Sequence, residues 1–195
     1  MYTLNLAANK CRERNRVMGN KNQYIKGDRI AYYPILSKKN LLDWLFSTEQ
    51  FWIRKFLIAL RSEEYYTFKE PNKLLKFYYF RRKNIIGRKL GFFIPAGCFD
   101  LGLHISHYGS IIINPKARIG KNCTIHGNCC IGNRGDDASN SPILGENIDL
   151  GQGAQVLGAI RIANGAKIGA GSIVLHSIEK ENAVVVGIPG KVMGL

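Results

Sequence analysis

The sequence predicts a parallel β-helix of about four coils, built from hexapeptide repeats and preceded by a small α-helical N-terminal region. Three observations predict it. From Leu101 onward an aliphatic residue recurs at every sixth position: Leu101, Ile113, Ile119, Ile125 and Ile131, then, after a break, Leu144, Leu150, Val156, Ile162, Ile168 and Val174. Glycine concentrates in the same half, with 16 of the 21 residues after position 100. Charge and aromatic side chains concentrate in the other half. Residues 1–100 carry 20 Lys/Arg against 8 Asp/Glu and 19 of the 20 aromatics, whereas residues 101–195 carry 8 against 6 and only Tyr108. Two physically different segments therefore meet near residues 95–100, and the chain divides into a basic, aromatic-rich helical region (1–93) and a β-helix (94–195).

In the helical region, residues 1–30 lack clear periodicity, and partial disorder is expected there. The run from Ser37 to Ser62 reads as one amphipathic helix, with Ser37 or Asn40 available to cap it. A second helix is predicted from Pro71 through Lys73 to Lys83. Helices this aromatic need a surface to pack on, and the candidates are each other and the top of the β-helix.

The hexads that follow hold an aliphatic residue first, often a glycine second, and often a small residue fifth: Ala117, Cys123, Cys129, Ala154, Ala166 and Ser172. A helix would show a period near 3.6 and a half-buried strand a period of 2, so a period of six excludes both. Each hexad makes one short strand and a turn, and three hexads complete a triangular coil with the aliphatics stacked inside. Counted from Leu101, His107 is the single first-slot residue that is not aliphatic. Either an irregular coil accommodates a hydrogen-bonded imidazole there, or the coil gives up a core position so that a titratable base reaches a cleft. Histidine suits the second task because the ordinary pKa of imidazole lies near neutrality. A second irregularity is a one-residue offset between Ile131 and Leu144, spanning the polar run Asn133 to Pro142, NRGDDASNSP. A turn-rich insert on a rigid repeat is a usual place for binding residues, although a solvated surface loop has the same composition.

The register, His107 and the C-terminal run Gly187 to Gly194, GIPGKVMG, together resemble the serine acetyltransferase branch of the hexapeptide-repeat acyltransferases. The resemblance covers about residues 90–195. The family's His-x-x-Gly-Val-Val-Ile-Gly block is similar to HYGSIIIN from His107 to Asn114. Its glycine- and alanine-rich blocks resemble LGQGAQ from Leu150 and AKIGAGS from Ala166. The resemblance implies a left-handed parallel β-helix, assembled as a homotrimer, that transfers acetyl from acetyl-CoA to a hydroxyl, with no permanently bound cofactor and no metal. It implies His107 as general base, and it implies Asn133, Gln152, Gly153, Ala170, Ile188, Pro189 and Lys191 along the coenzyme. An alcohol has a pKa far above 7, so a positioned base must take its proton during attack on the thioester. The resulting oxyanion needs N–H donors, which tight glycine-rich turns present without obstruction.

Three departures bear on the acceptor. The family's Asp before the catalytic histidine is Ser106 here, its Arg-His-Pro is Asn140-Ser141-Pro142, and the Asp fifteen residues before the histidine falls on Phe92. Ser106 and Ser141 offer uncharged hydrogen bonds, which suit a sugar hydroxyl in polysaccharide biosynthesis. Arg134, Asp136 and Asp137 could supply the charge that free L-serine needs, so serine O-acetylation stays open as the alternative. A non-catalytic β-helix scaffold is the rival from another class. A γ-carbonic-anhydrase-like metal site would need three histidines such as His104, His107 and His126, and their spacing does not match that pattern.

Composition limits partners and location. The apolar stretches are broken well before the roughly 18 residues that a membrane span needs, and the first residues carry no convincing secretory cleavage site. Five cysteines without metal spacing fit small buried thiols in a reducing cytoplasm. No nucleic-acid motif accompanies the net charge of +14. The basic, aromatic N-terminal half fits either a peripheral contact with an anionic membrane surface or glycan, or a merely solvated basic face.

Overall fold

A computed structural model describes residues 21–28, 38–135 and 141–194. Ser37, Asp136, Asp137 and Asn140 lie outside the described residues, as does most of the 1–30 segment. Four helices come first: α1 (Lys21–Lys26), α2 (Lys38–Leu45), α3 (Glu49–Glu64) and α4 (Lys73–Leu90). The single helix expected over 37–62 is two. Ser47 takes a left-handed φ of 50°, which stops α2. Thr48 then starts α3 by accepting the Phe51 N–H on its hydroxyl, satisfying one of the four N–H groups a helix start leaves open. The 3–4 spacing of Ile53, Phe56, Leu57 and Leu60 gives α3 one buried face. Phe56 meets Phe92 edge-on at 5.1 Å, joining that face to the first strand of the β-helix. After a π-helical turn at Tyr65–Lys69, Asn72 caps α4 by accepting the N–H groups of Leu74 and Leu75. The second helix runs seven residues beyond Lys83, to Leu90, and ends at Gly91 with φ 82°. A Cβ on Gly91 would lie 2.9 Å from the Gly109 carbonyl oxygen, so this turn tolerates glycine alone.

From Phe92 the chain winds into a left-handed parallel β-helix with three faces. The first face stacks β1 (Phe92–Phe93), β3 (Ile111–Ile113), β6 (Cys130–Gly132), β9 (Gln155–Leu157) and β12 (Ile173–Val174). The second stacks β4 (Arg118–Ile119), β7 (Ile143–Leu144) and β10 (Arg161–Ile162), with bridges from Phe99 and Ile178 at its two ends. The third stacks β2 (His104–Ile105), β5 (Thr124–Ile125), β8 (Asp149–Leu150), β11 (Lys167–Ile168) and β13 (Val184–Val186). An antiparallel strand, β14 (Lys191–Val192), covers the last edge of that face. The coils number five, not about four, because Phe92, Phe99 and Ile105 form a complete first coil.

Three aliphatic columns fill the prism, and each is buried along its length: Ile113 to Val174, Phe99 to Ile178, and Ile105 to Val185. Full burial of each such side chain stabilises by about 1.5–3 kcal/mol. The small fifth-slot residues, including Ala117, Cys123, Ala154 and Ser172, are equally buried, where the coils leave no room for larger groups.

The columns correct the phase of the first coil. Ile113 pairs with Ile131, eighteen positions on, but Ile105 pairs with Ile125, twenty positions on, and Phe99 bridges Ile119, also twenty on. The first coil thus carries two extra residues between Ile105 and Ile113. Phe99 and Ile105 occupy the column positions that a count from Leu101 assigns to Leu101 and His107. His107 therefore displaces no core residue; it stands on an enlarged turn. The one-residue offset after Ile131 comes from an insertion of one hexad plus one residue. Ile131 pairs with Val156, twenty-five positions on against the regular eighteen, so seven residues are inserted between β6 and β7.

A buried polar node fastens the helices to this first coil. All five guanidinium N–H groups of Arg61 find acceptors: Nε and Nη2 donate to Asp28, Nη1 to Glu64 and the Phe99 carbonyl, and Nη2 also to the Asp100 carbonyl, at 2.7–3.0 Å. Asp28 Oδ1 in turn accepts the N–H groups of Gly102 and Leu103, and Glu64 Oε1 accepts that of Gly97. Arg61, Asp28 and Glu64, at 0–1 % exposure, form a buried cluster of ionisable groups.

Candidate functional site

Four turns joining the third face to the first, and a fifth leading from β13 to β14, stack along one edge of the prism. They are Ser106–Gly109, His126–Asn128, Gly151–Gly153, Gly169–Gly171 and Gly187–Pro189, each following a strand of the third face. Backbone hydrogen bonds link successive turns: Gly153 N–H donates to the Gly127 carbonyl at 3.0 Å, and Gly171 N–H to the Gln152 carbonyl at 2.8 Å. A Cβ on Gly127 would lie 2.6 Å from the Tyr108 carbonyl oxygen, so the enlarged His107 turn rests directly on this glycine. Asn128, in the left-handed region at φ 62°, holds the turn from below through Oδ1, which accepts the Ser110 N–H at 3.0 Å.

His107 stands at the top of this edge with 63 % of its side chain exposed. Its Nδ1 lies 3.4 Å from Oε2 of Glu49, the first residue of α3. The other oxygen of the same carboxylate accepts the Tyr108 N–H. Gln50, the next residue of α3, donates from Nε2 to the Ser106 carbonyl at 3.4 Å. The start of α3 thus grips both sides of His107, and the positive end of the helix favours the Glu49 carboxylate where it sits. Glu49 carries the site's geometry and sequence reasoning passed over it. The visible signal was Ser47-Thr48-Glu49, a helix start inside what read as a continuous helix.

A second imidazole adjoins the first. His126 follows β5, and its ring centroid is 6.3 Å from that of His107. Its Nε2 is 3.6 Å from Oδ1 of Asp149 on β8, too long for a hydrogen bond, and that oxygen is buried with no other partner. Two imidazoles and two carboxylates therefore face one strip of surface. An imidazole beside a carboxylate takes up a proton from a hydroxyl and returns it to a leaving group. Among the described residues no three histidine, cysteine or acidic side chains converge as metal ligands, so His104, His107 and His126 do not form such a group.

The other candidates fall into two places. Gln152, Gly153, Ala170, Ile188 and Pro189 line the same edge as His107, and Lys191 begins β14 beside it, paired with Val186. Asn133, Arg134 and Ser141 lie on the seven-residue insertion, at the next edge of the prism, across the width of β6. Asn133 is occupied locally, accepting from Asn114 Nδ2 and donating to the Gly135 carbonyl. Ser141 is buried, and Arg134 is exposed. Of the proposed acceptor residues that are described (Ser106, Arg134 and Ser141), Ser106 is the one that neighbours His107 within one chain.

The described cysteines form no disulfide: Cys98, Cys123, Cys129 and Cys130 are free thiols. Burial pushes the Cys123 thiol up to about 12 and raises those of Cys129 and Cys130 as well.

No protein-family model matches the chain. Over 100 residues it is 36% identical to a serine acetyltransferase of Synechococcus elongatus, covering 51% of this chain and 41% of that protein. Over 124 residues it is 33% identical to a serine acetyltransferase of Bacillus subtilis, covering 60% of this chain and 56% of that one. The chain thus spans about half the length of the curated relatives it matches. Its fold is similar to that of a Neisseria gonorrhoeae serine acetyltransferase, with a TM-score of 0.63 and 24% identity over 89% of this chain and 66% of the other. Serine acetyltransferases solved in complex with CoA and, from Neisseria gonorrhoeae, with serine share that fold at TM-scores of 0.55 and 0.59.

Proposed function

We propose that this chain, whose β-helix is serine acetyltransferase-like, transfers an acetyl group from acetyl-CoA to a hydroxyl with His107 as the general base. The observation that carries the reading is the placement of His107 on an exposed, enlarged turn with Nδ1 turned to Glu49. An ionised carboxylate only accepts hydrogen bonds, so it favours the tautomer with the proton on Nδ1 and leaves the Nε2 lone pair for the substrate. The acceptor O–H gives its proton to Nε2 as its oxygen attacks the thioester carbonyl. The tetrahedral oxyanion then collapses, the C–S bond breaks, and the imidazolium returns the proton to the departing CoA thiolate. The products are an O-acetyl ester and free CoA.

Acetyl-CoA is assigned to the edge below His107, along Gln152, Gly153 and Ala170, with Ile188, Pro189 and Lys191 at its far end. Among the described residues, Asn133, Arg134 and Ser141 then reach a His107 edge from a neighbouring subunit. A homotrimer, in which such edges and insertions face one another, is the assembly this reading requires. The free, buried thiols support a reducing, cytoplasmic setting.

L-serine is the acceptor that the curated relatives favour, in preference to a sugar hydroxyl. Its ammonium and carboxylate need charged partners, and Glu49, Asp149 and His126 supply ionisable groups where Ser106 does not. A sugar hydroxyl remains the second reading because Ser106 and Phe92 stand where the serine acetyltransferase pattern has carboxylates. The test is a competition assay with acetyl-CoA, equal L-serine and mixed saccharides, with products read by mass spectrometry. O-acetylserine is expected. Acetylated saccharide alone would transfer the assignment to the second reading, and failure to bind acetyl-CoA at all would leave a non-catalytic scaffold.

A further inference from the structure

The outward face of α4 is at once strongly basic and apolar. Its 18 residues include seven Lys or Arg and no Asp or Glu. Only Lys83 among the seven is buried, paired with Glu63 at 2.9 Å. The side opposite Lys83, Ile86 and Gly87 exposes Leu74 at 83 %, Phe77 at 66 % and Tyr78 at 52 %. Water-facing phenylalanine and leucine on a wholly basic helix are the composition of a helix that lies in a bilayer interface.

The same face opens into a groove against α3, about 340 Å³ in volume, lined by Trp52, Lys55, Tyr78, Arg81, Arg82 and Ile85. The walls are aromatic and the charges are all positive. Lys55 Nζ lies 5.4 Å from the Trp52 ring centroid, and Lys89 Nζ 5.6 Å from it. Desolvation, followed by the positive charges of Arg82 and Arg54, lowers the Lys55 pKa. Cations crowded closely enough to depress one another gain from an anion among them.

We propose that the α3–α4 surface docks on an anionic phospholipid bilayer, the groove receiving a lipid phosphate while Leu74 and Phe77 enter the headgroup boundary. Charge complementarity selects this occupant over a second copy of the chain. A copy would bring the same basic helix against its own like charges, whereas a bilayer carrying phosphatidylglycerol presents negative charge above an apolar layer. The contact is peripheral, because no helix among the described residues is long and apolar enough to cross a membrane. It is independent of the acetyl-transfer reading and would hold for a scaffold equally.

The test is co-sedimentation of the full chain with phosphatidylcholine vesicles containing a minor fraction of phosphatidylglycerol, beside vesicles of phosphatidylcholine alone. Binding only to the anionic vesicles is expected, weakening as sodium chloride is raised and the charges are screened. Arg81→Glu with Arg82→Glu should weaken it by at least about tenfold. Phe77→Ser should weaken it too, with the helical circular dichroism and any acetyl transfer to a soluble acceptor unchanged. Equal binding to both vesicle types, or binding to neither, overturns the proposal. It is also overturned if Phe77→Ser reduces the particle size in solution while vesicle binding stays intact, which would make the face an interface between copies.

Discussion

Nδ1 of His107 lies 3.4 Å from Oε2 of Glu49, a residue fifty-eight positions earlier at the first turn of another secondary-structure element. The position fifteen residues before His107 is Phe92, which is buried against Phe56 and carries no charge. The carboxylate beside the imidazole thus comes from the helical region, so both parts of the chain border His107.

His107→Ala is expected to lower kcat by about 10²–10⁴-fold, the usual worth of a general base, with acetyl-CoA affinity nearly unchanged. Glu49→Gln keeps an acceptor for the Tyr108 N–H but removes the charge, so a fall in kcat smaller than that of His107→Ala is expected, with little change in KM for acetyl-CoA. Steady-state kinetics on both variants check this. A large loss in His126→Ala with none in His107→Ala would show that the base is the other imidazole.

Light scattering at micromolar concentration is expected to give the mass of a homotrimer. A monomer would leave the insertion residues Arg134 and Ser141 an edge away from every His107 and would remove them from the acceptor site.

Arg61→Ala leaves Asp28 and Glu64 buried without their cation, and breaking such a cluster by removing one partner costs about 3–5 kcal/mol. Urea denaturation should show a loss of that size. The same substitution should speed amide exchange at Gly97, Gly102 and Leu103, whose N–H groups the two carboxylates hold.

Burial holds the Glu64 carboxyl above its ordinary value of 4.5, and Arg61 and the Gly97 N–H offset this only in part. The folded protein then binds this proton more tightly than the unfolded chain does. The contribution to stability is full below the unfolded value and is lost as pH rises through the folded one. Glu64→Gln removes the dependence. Thermal midpoints measured from below pH 4.5 toward neutrality should therefore show the wild type losing ground to the variant as pH rises.

Cys123, with its thiol pushed up to about 12, should resist Ellman's reagent in the native protein. In a Cys11→Ser background, half-buried Cys130 should react first, and Cys98, Cys123 and Cys129 only on unfolding. Prompt native labelling of Cys123 would show that the coils open far more readily than their packing implies.

Much of the architecture was legible in residues 113–174, because Ile113, Ile119, Ile125 and Ile131 repeat at the period the coils impose. The first coil was not. Leu101, Leu103 and Ile105 are all apolar, so a count of six from Leu101 runs smoothly while the true columns begin at Phe99 and Ile105. His107 was therefore conspicuous as an interruption of the core, whereas the structure stands it on an enlarged turn outside the columns. Glu49 was out of reach because no local pattern relates a helix start to a turn fifty-eight positions later. The helix break at Ser47 was hidden by apolar residues continuing on both sides of it.

The edge below His107 has a metric consequence. Parallel strands neighbour one another at about 4.8 Å, so the four steps from the Ser106–Gly109 turn to the Gly187–Pro189 turn span about 19 Å. The edge is a ruler with five graduations. A donor that engages both ends must be at least that long when extended, and a shorter one grips only the upper marks. Removing one coil would move the far contact by one graduation and leave Glu49 and His107 untouched. On the proposed assignment of acetyl-CoA to this edge, the number of coils would set how far along the donor contacts extend, independently of the His107 turn at the top.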